Sequence, residues 1–269
     1  VIEEVPVPHG RLTVETTGGA HAGTVALVHA GVADRASWDG VVPALAARYR
    51  VVRHDMRGFG DSRPPSAPYD DAEDLAAVLT AVGVERAAVV GNSYGGRVAL
   101  EFALRHPARV SALGLLAAPL PDHDWSAAMR DYAEAEEAAL ERGDLDLAVS
   151  LNLDMWVRGP RREWDDRLRA HAHAVRGPMR TALSHQHLTD RFGTSELAEL
   201  LGGLGESRVP TLIAHGGADL DDFRVQAARL TAAIPDSRAL VLPDAGHLLP
   251  LEQPAATAEA LLALLAARG

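Results

Sequence analysis

Ser93 stands among glycines in Gly91-Asn92-Ser93-Tyr94-Gly95-Gly96, directly after the small β-branched run Ala87-Ala88-Val89-Val90. A serine hydroxyl is a poor nucleophile until a base removes its proton, so it must stand clear of the backbone within reach of that base. A sharp strand-to-helix turn achieves this, with strained φ/ψ at the serine and small flanking residues where strand and helix approach closely. Gly91-x-Ser93-x-Gly95 has that nucleophile-elbow pattern. The N–H of Tyr94, opening the following helix, is placed to bind a developing oxyanion. The competing readings are a solvent serine on a glycine-rich turn and a phosphate-cradling loop. The stretch lacks the Lys-Ser/Thr of a P-loop, and its glycine spacing is not G-x-G-x-x-G.

Such a serine needs a histidine and an acid. His247 ends Pro243-Asp244-Ala245-Gly246-His247, and Asp219 ends Gly216-Gly217-Ala218-Asp219. Alone, Asp219 reads as a turn residue and His247 as a loop histidine. Behind an elbow, in the order Ser…Asp…His, they read as a triad for acyl transfer. The stretch His29-Ala30-Gly31-Val32 follows another apolar run and has two readings. It is a donor of a second oxyanion N–H from Gly31, or an ordinary strand–helix loop with His29 satisfied in the core.

The elements that must position these groups follow from periodicity. Residues 5–7 and 11–16 alternate and are expected to pair as an antiparallel edge. Val25-Ala-Leu-Val28, Val51-Val-Arg-His54, residues 87–90, 110–116, 210–215 and 238–242 read as buried strands of an open parallel sheet. Helices are expected at about 37–47, 69–82, 97–105, 223–234 and 254–267. Open parallel sheets bind ligands at the carboxyl ends of their strands, and Ser93, Asp219 and His247 each follow a strand closely. Asp55 and Arg57, in a loop at that edge, are expected to brace loops rather than perform chemistry. From 120 to 205 the chain turns helical and charged, without strand patterns. This segment is expected to be a helical cap inserted into a core made of 1–119 and 206–269. Trp125, Met155 and Trp156 of the cap, with Leu248 beside His247, are the candidate substrate contacts. His171-x-His173 and His185-x-His187 do not share a helix face at that spacing, so surface histidines are expected, with no metal and no cofactor.

Composition narrows the partners. The 269 residues carry a net charge of −11, with arginine as the only strong base, which disfavours nucleic acid and anionic membranes. There is no cysteine, hence no disulfide or thiol chemistry. No apolar run reaches transmembrane length. The expected location is the cytoplasm and the expected partner a small-molecule substrate; oligomeric state is not legible.

Taken together, Val28-His-Ala-Gly31, Asp55-Met-Arg-Gly-Phe-Gly-Asp-Ser62, Gly91-Asn-Ser-Tyr-Gly-Gly96, Pro210-Thr-Leu-Ile-Ala-His-Gly-Gly-Ala-Asp219 and Gly246-His247-Leu-Leu-Pro-Leu-Glu-Gln-Pro254 resemble the α/β-hydrolase superfamily. The similarity is to its capped esterase, lactonase and C–C hydrolase branch. It implies an α/β fold, with a mostly parallel sheet, helices on both faces and the helical cap. It also implies Ser93 as nucleophile, His247 as base, Asp219 as acid, and Gly31 and Tyr94 as oxyanion donors. The family's usual His-Gly is His29-Ala30 here, which leaves Gly31 and Val32 both open as donor. Asp221 and Asp222 compete with Asp219, which is preferred for its Gly-x-x-Asp spacing after the strand. Serine at 93 argues against the aspartate-nucleophile dehalogenases and epoxide hydrolases. The leading expectation is hydrolysis of an ester or lactone of a small hydrophobic molecule. The alternatives are C–C hydrolysis of the meta-cleavage-product type, as in relatives with a Gly-Asn-Ser-x-Gly-Gly elbow, enol-lactonase or cofactor-free haloperoxidase chemistry, and a non-hydrolytic binding or biosynthetic role.

Overall fold

Alternation along the strands sends successive side chains to opposite faces, and both faces are apolar, so the sheet must be covered twice. A computed structural model, describing residues 1–19 and 23–266, shows how. The strands are β1 (Ile2–Val7), β2 (Gly10–Thr17), β3 (Thr24–Val28), β4 (Arg50–His54), β5 (Tyr69–Asp70), β6 (Ala87–Asn92), β7 (Val110–Leu116), β8 (Gly193–Thr194), β9 (Thr211–Gly216) and β10 (Ser237–Leu242). Eight of them form one sheet in the order β1-β2-β4-β3-β6-β7-β9-β10. β1, β2 and β4 pair antiparallel, and the remaining pairs are parallel.

The helices are α1 (Val42–Ala46), α2 (Asp71–Ala81), α3 (Tyr94–Arg105), α4 (Ala127–Glu141), α5 (Leu145–Asn152), α6 (Asp166–Phe192), α7 (Leu197–Leu200), α8 (Asp221–Ala233), α9 (Leu249–Glu252) and α10 (Pro254–Ala266). On one face, Ala26, Val28 and Val89 pack with Leu75 of α2, Phe102 of α3 and Leu230 of α8. On the other, Val25, Leu27 and Val90 pack with Leu45 of α1 and Leu261 of α10. The chain between β7 and β9 is mainly helical, and its Val149, Leu153, Val175 and Met179 form an apolar cluster that also takes in Ala30, Ala33 and Leu248. Among the described residues no helix is long and apolar enough to cross a membrane.

Three local expectations change. The helix expected over 37–47 is a 3-10 turn, Arg35–Trp38, followed by α1, which starts afresh with Pro43 in its first turn. The helix expected from 69 starts at Asp71, because the Asp70 side chain accepts from the N–H groups of Ala72 and Glu73 and so sits at the N-cap. Tyr69 and Asp70 form β5 instead, pairing with β8 inside the segment read as strand-free. The expected helix end at Ala267 lies outside the described residues.

Candidate active site

β6 drives straight into α3 with one residue between them, and that residue is Ser93, at φ 54° and ψ −121°. This is a strained conformation for a residue with a side chain. The glycines around it are obligatory. A Cβ on Gly91 would overlap the Gly95 carbonyl, and one on Gly95 would overlap the carbonyls of Val28 and His29. One on Gly96 would lie 2.7 Å from Ala118 Cβ. Ser93 N–H donates to Leu116 O at 2.7 Å, which pins the turn to β7.

The turn aims the Ser93 hydroxyl at His247. Oγ lies 2.7 Å from His247 Nε2, and His247 Nδ1 lies 2.8 Å from Asp219 Oδ2. The second Asp219 oxygen accepts from Leu220 N–H at 2.8 Å. Asp219 and His247 are buried. A carboxylate at Nδ1 puts the imidazole proton there and leaves Nε2 free to accept from the serine. The Trp156 and Phe223 rings lie with their centroids 4.4 Å from the imidazole, which confines its plane. The competing acids are elsewhere: Asp222 accepts from His123 Nε2 at 3.0 Å and Ser126 N–H at 2.9 Å, and Asp221 pairs with Arg161 and Arg224.

The loop after β3 lies against this turn: a Cβ on Gly31 would sit 3.3 Å from Tyr94 Cβ. As the first residue of α3, Tyr94 has an N–H without an intrahelical acceptor. Gly31, Val32, Ser93, Tyr94 and His247 line one cavity of about 310 Å³. His29 itself is structural. Its Nδ1–H donates to Ala30 O at 2.8 Å and its Nε2 accepts from Met56 N–H at 3.0 Å. Burial lowers its pKa, partly opposed by the Asp55 charge. Asp55 accepts from the N–H groups of Arg35 and Asp61, each at 2.9 Å, and pairs with the Arg35 guanidinium. Arg57 pairs with Asp74 and donates to Pro8 O. Both therefore tie loops together.

Of the four candidate substrate contacts, only Trp156 lines the cavity. Trp125 packs edge-on against Phe223 and His123 instead. Leu248 is buried in the apolar cluster of the helical segment, and Met155 packs against the sheet-side cluster. The remaining wall of the helical segment includes Met129, Tyr132, Glu136 and Asn152. Among the described residues no group of three His, Cys, Asp or Glu side chains is placed to hold a metal. His185 Nδ1 lies 3.0 Å from Gly58 O.

Two supports escaped the sequence reading. Asn92 Nδ2 donates to Leu116 O and to His247 O, both at 3.1 Å, so the variable position of the elbow ties the serine turn to the histidine loop. Glu252 grips the same loop from the other side. Its carboxylate accepts from Gly246 N–H at 3.0 Å and Leu248 N–H at 3.2 Å, and pairs with Arg162 from the helical segment. The only local signal is that both are polar residues at the edge of an apolar run.

Comparison with known proteins agrees with this architecture. The family model for the alpha/beta hydrolase fold matches residues 23–254. The chain is 28% identical over 243 residues to a pimeloyl-[acyl-carrier protein] methyl ester esterase of Nitrosomonas europaea, covering 87% of this chain and 91% of that one. It is 46% identical over 90 residues to a 2-hydroxymuconate semialdehyde hydrolase of Pseudomonas sp. (strain CF600), and this match covers 32% of each chain, about a third of that relative's length. A crystal structure of a hydrolase from Pseudomonas aeruginosa PA01 superimposes with a TM-score of 0.80 and 26% identity, covering 99% of this chain and 98% of that one.

Proposed function

The chain is a hydrolase belonging to the α/β-hydrolase family, and from that premise we propose that it hydrolyses an ester or lactone through Ser93, His247 and Asp219. The observation that carries this reading is the hydrogen-bonded line from Ser93 Oγ through His247 to Asp219, at 2.7 and 2.8 Å, with the serine held on a strained elbow. As Ser93 Oγ attacks the carbonyl carbon, its proton passes to His247 Nε2. Asp219 fixes the imidazole tautomer and stabilises the imidazolium. The N–H groups of Tyr94 and Gly31 receive the oxyanion, each donor typically worth about 10²–10³-fold in rate. The imidazolium gives its proton to the departing oxygen, leaving an acyl-enzyme. Water then attacks with His247 as base and regenerates the Ser93 hydroxyl. Residues 120–205 act as the cap in this reading, since α4, α5 and α6 supply one wall of the cavity. The substrate is a small molecule, and the chemistry requires no cofactor.

A second reading, hydrolysis of a C–C bond, is favoured by the 46% match to the semialdehyde hydrolase. The same line of residues serves it, with a carbon leaving group. The experiment that tests the leading reading is steady-state turnover of p-nitrophenyl esters from acetate to octanoate by the wild-type protein and by folded Ser93→Ala. The expected result is turnover in the wild type and a loss on the order of 10⁶-fold in the variant, the scale of triad serine knockouts. Undiminished turnover in folded Ser93→Ala would overturn the mechanism.

A further inference from the structure

The cavity over Ser93 carries polarity of one sign at the end remote from the triad. Trp156, against the His247 ring, donates through Nε1 to Tyr132 Oη at 3.0 Å. Tyr132 Oη lies 2.7 Å from Glu136 Oε1, which also accepts from Asn152 Nδ2. One indole and one phenol thus separate Glu136 from His247. Both donors engage Oε1, and Oε2 has no partner among the described residues. Asp190 lines the same cavity, and apart from His247 the cavity wall holds no basic side chain. Burial and then the Glu136 charge push the Asp190 carboxyl above its usual range, partly offset by His187.

The adjoining cavity has the same sign. A second cavity of about 700 Å³, between α4 and α6, shares Glu136 and Asp190 with the first and adds Glu137 and Glu141; its only basic side chain is His187. A carboxylate-bearing substrate would meet like charges there, with only His187 to offset them. A cationic nitrogen would neutralise the pair, occupy the free Glu136 oxygen and find aromatic neighbours in Tyr132 and Trp156.

Resting on the serine-hydrolase reading, we infer that this cavity selects substrates carrying a cationic nitrogen remote from the scissile carbonyl, with Glu136 and Asp190 as the selecting residues. Glu136 is the fixed partner, because Tyr132 and Asn152 hold its carboxylate in the wall. Asp190 stands nearer the solvent and reinforces it.

The test uses isosteric pairs that differ by one charge. On the acyl side, p-nitrophenyl 4-(trimethylammonio)butanoate is compared with p-nitrophenyl 5,5-dimethylhexanoate. On the alcohol side, butyrylthiocholine is compared with S-(3,3-dimethylbutyl) thiobutanoate. p-Nitrophenyl hydrogen glutarate supplies the anion. In at least one pair the cationic member is expected to have the higher kcat/KM by roughly tenfold, the scale of one cation–π or ion-pair contact. The anion is expected to be the poorest substrate. The cationic-to-neutral ratio should fall toward one in Glu136→Gln and in Asp190→Asn, and in the wild type at high ionic strength. Because the salt arm needs no variant, misfolding of either substitution leaves the test intact. Equal rates within each pair, or preference for the glutarate ester, would overturn the inference while leaving the serine mechanism standing. If no ester is turned over, the ester reading falls. Calorimetric titration of the folded protein with methyl 4-(trimethylammonio)butanoate and methyl 5,5-dimethylhexanoate then decides charge selection. Tighter binding of the cation supports it, and equal or weaker binding refutes it.

Discussion

Glu252→Gln isolates the grip on the histidine loop. The Glu252 side chain is 1% exposed, and it serves three donors: the Gly246 and Leu248 N–H groups that flank His247, and the Arg162 guanidinium. Glutamine keeps the shape but replaces one accepting oxygen with an NH₂, so at least one backbone N–H loses its acceptor and Arg162 loses its counter-charge. An unsatisfied buried group costs about 1–3 kcal/mol. Removing one partner of a buried ion pair costs about 3–5 kcal/mol. Arg162 retains the carbonyls of Val157 and Arg158, each at 2.8 Å, which places the combined loss at the lower end, about 2–4 kcal/mol. For a chain of this size that lowers Tm by roughly 4–16 °C. The His247 loop also loses its register against Ser93, and a misplacement of about 1 Å can reduce kcat roughly 10²-fold. KM should change far less, because Glu252 does not line the cavity. The assays are thermal unfolding followed by circular dichroism, and p-nitrophenyl ester kinetics well below Tm. Arg162→Met completes a double-mutant cycle, in which the two losses should be strongly non-additive. Unchanged Tm and unchanged kcat in Glu252→Gln would refute the reasoning, and additive losses would refute the Arg162 pairing.

Asp219→Asn should reduce kcat by a factor on the order of 10⁴, because the imidazole tautomer is no longer fixed. Asp222→Asn, which disturbs only the contacts to His123 and Ser126, should stay within about tenfold in the same ester assay; the reverse ranking would reassign the acid. Asp71 sets a pH dependence of stability. Burial raises its pKa to about 7, aided by Asp74 and Asp70 and opposed by the Tyr94 hydroxyl and Arg57. An acid whose folded pKa is raised binds more protons folded than unfolded, so its contribution is fully present below about pH 4 and is lost as the pH rises through about 7. Asp71→Asn, which can still accept from Tyr94, should therefore raise Tm more at pH 8 than at pH 5, as measured by differential scanning fluorimetry. A larger gain at pH 5 would contradict the assignment.

The fold was legible because its signals are local. Buried strands announce themselves by runs of small β-branched residues, and the elbow by glycines that no other residue can replace at those approaches. The order of Ser93, Asp219 and His247 along the chain, each just after a strand, put them on one edge of the sheet. The family resemblance covered these same core stretches and added roles to them. Boundaries were legible to within a residue or two: Asp70-Asp71 reads as the start signal of a helix drawn from Tyr69, and Asp70 is its N-cap, so α2 opens at Asp71.

What the tertiary structure decided are the contacts between segments far apart in sequence. Asp219 was preferred by its spacing, but only the fold turned Asp222 toward His123 and Ser126 and left Asp219 facing the imidazole. Trp125, Met155 and Leu248 are apolar candidates of the same kind as Trp156, and composition could not distinguish them. The packing of the helical segment against itself and against the sheet placed those three outside the cavity and left Trp156 beside the imidazole. Glu252 and Arg162 lie 90 residues apart and carry no shared pattern. Backbone sterics and periodicity write the scaffold into short stretches of sequence. The acid, the grip on the histidine loop and the charge of the cavity wall arise only when helices and loops from distant segments close on one another.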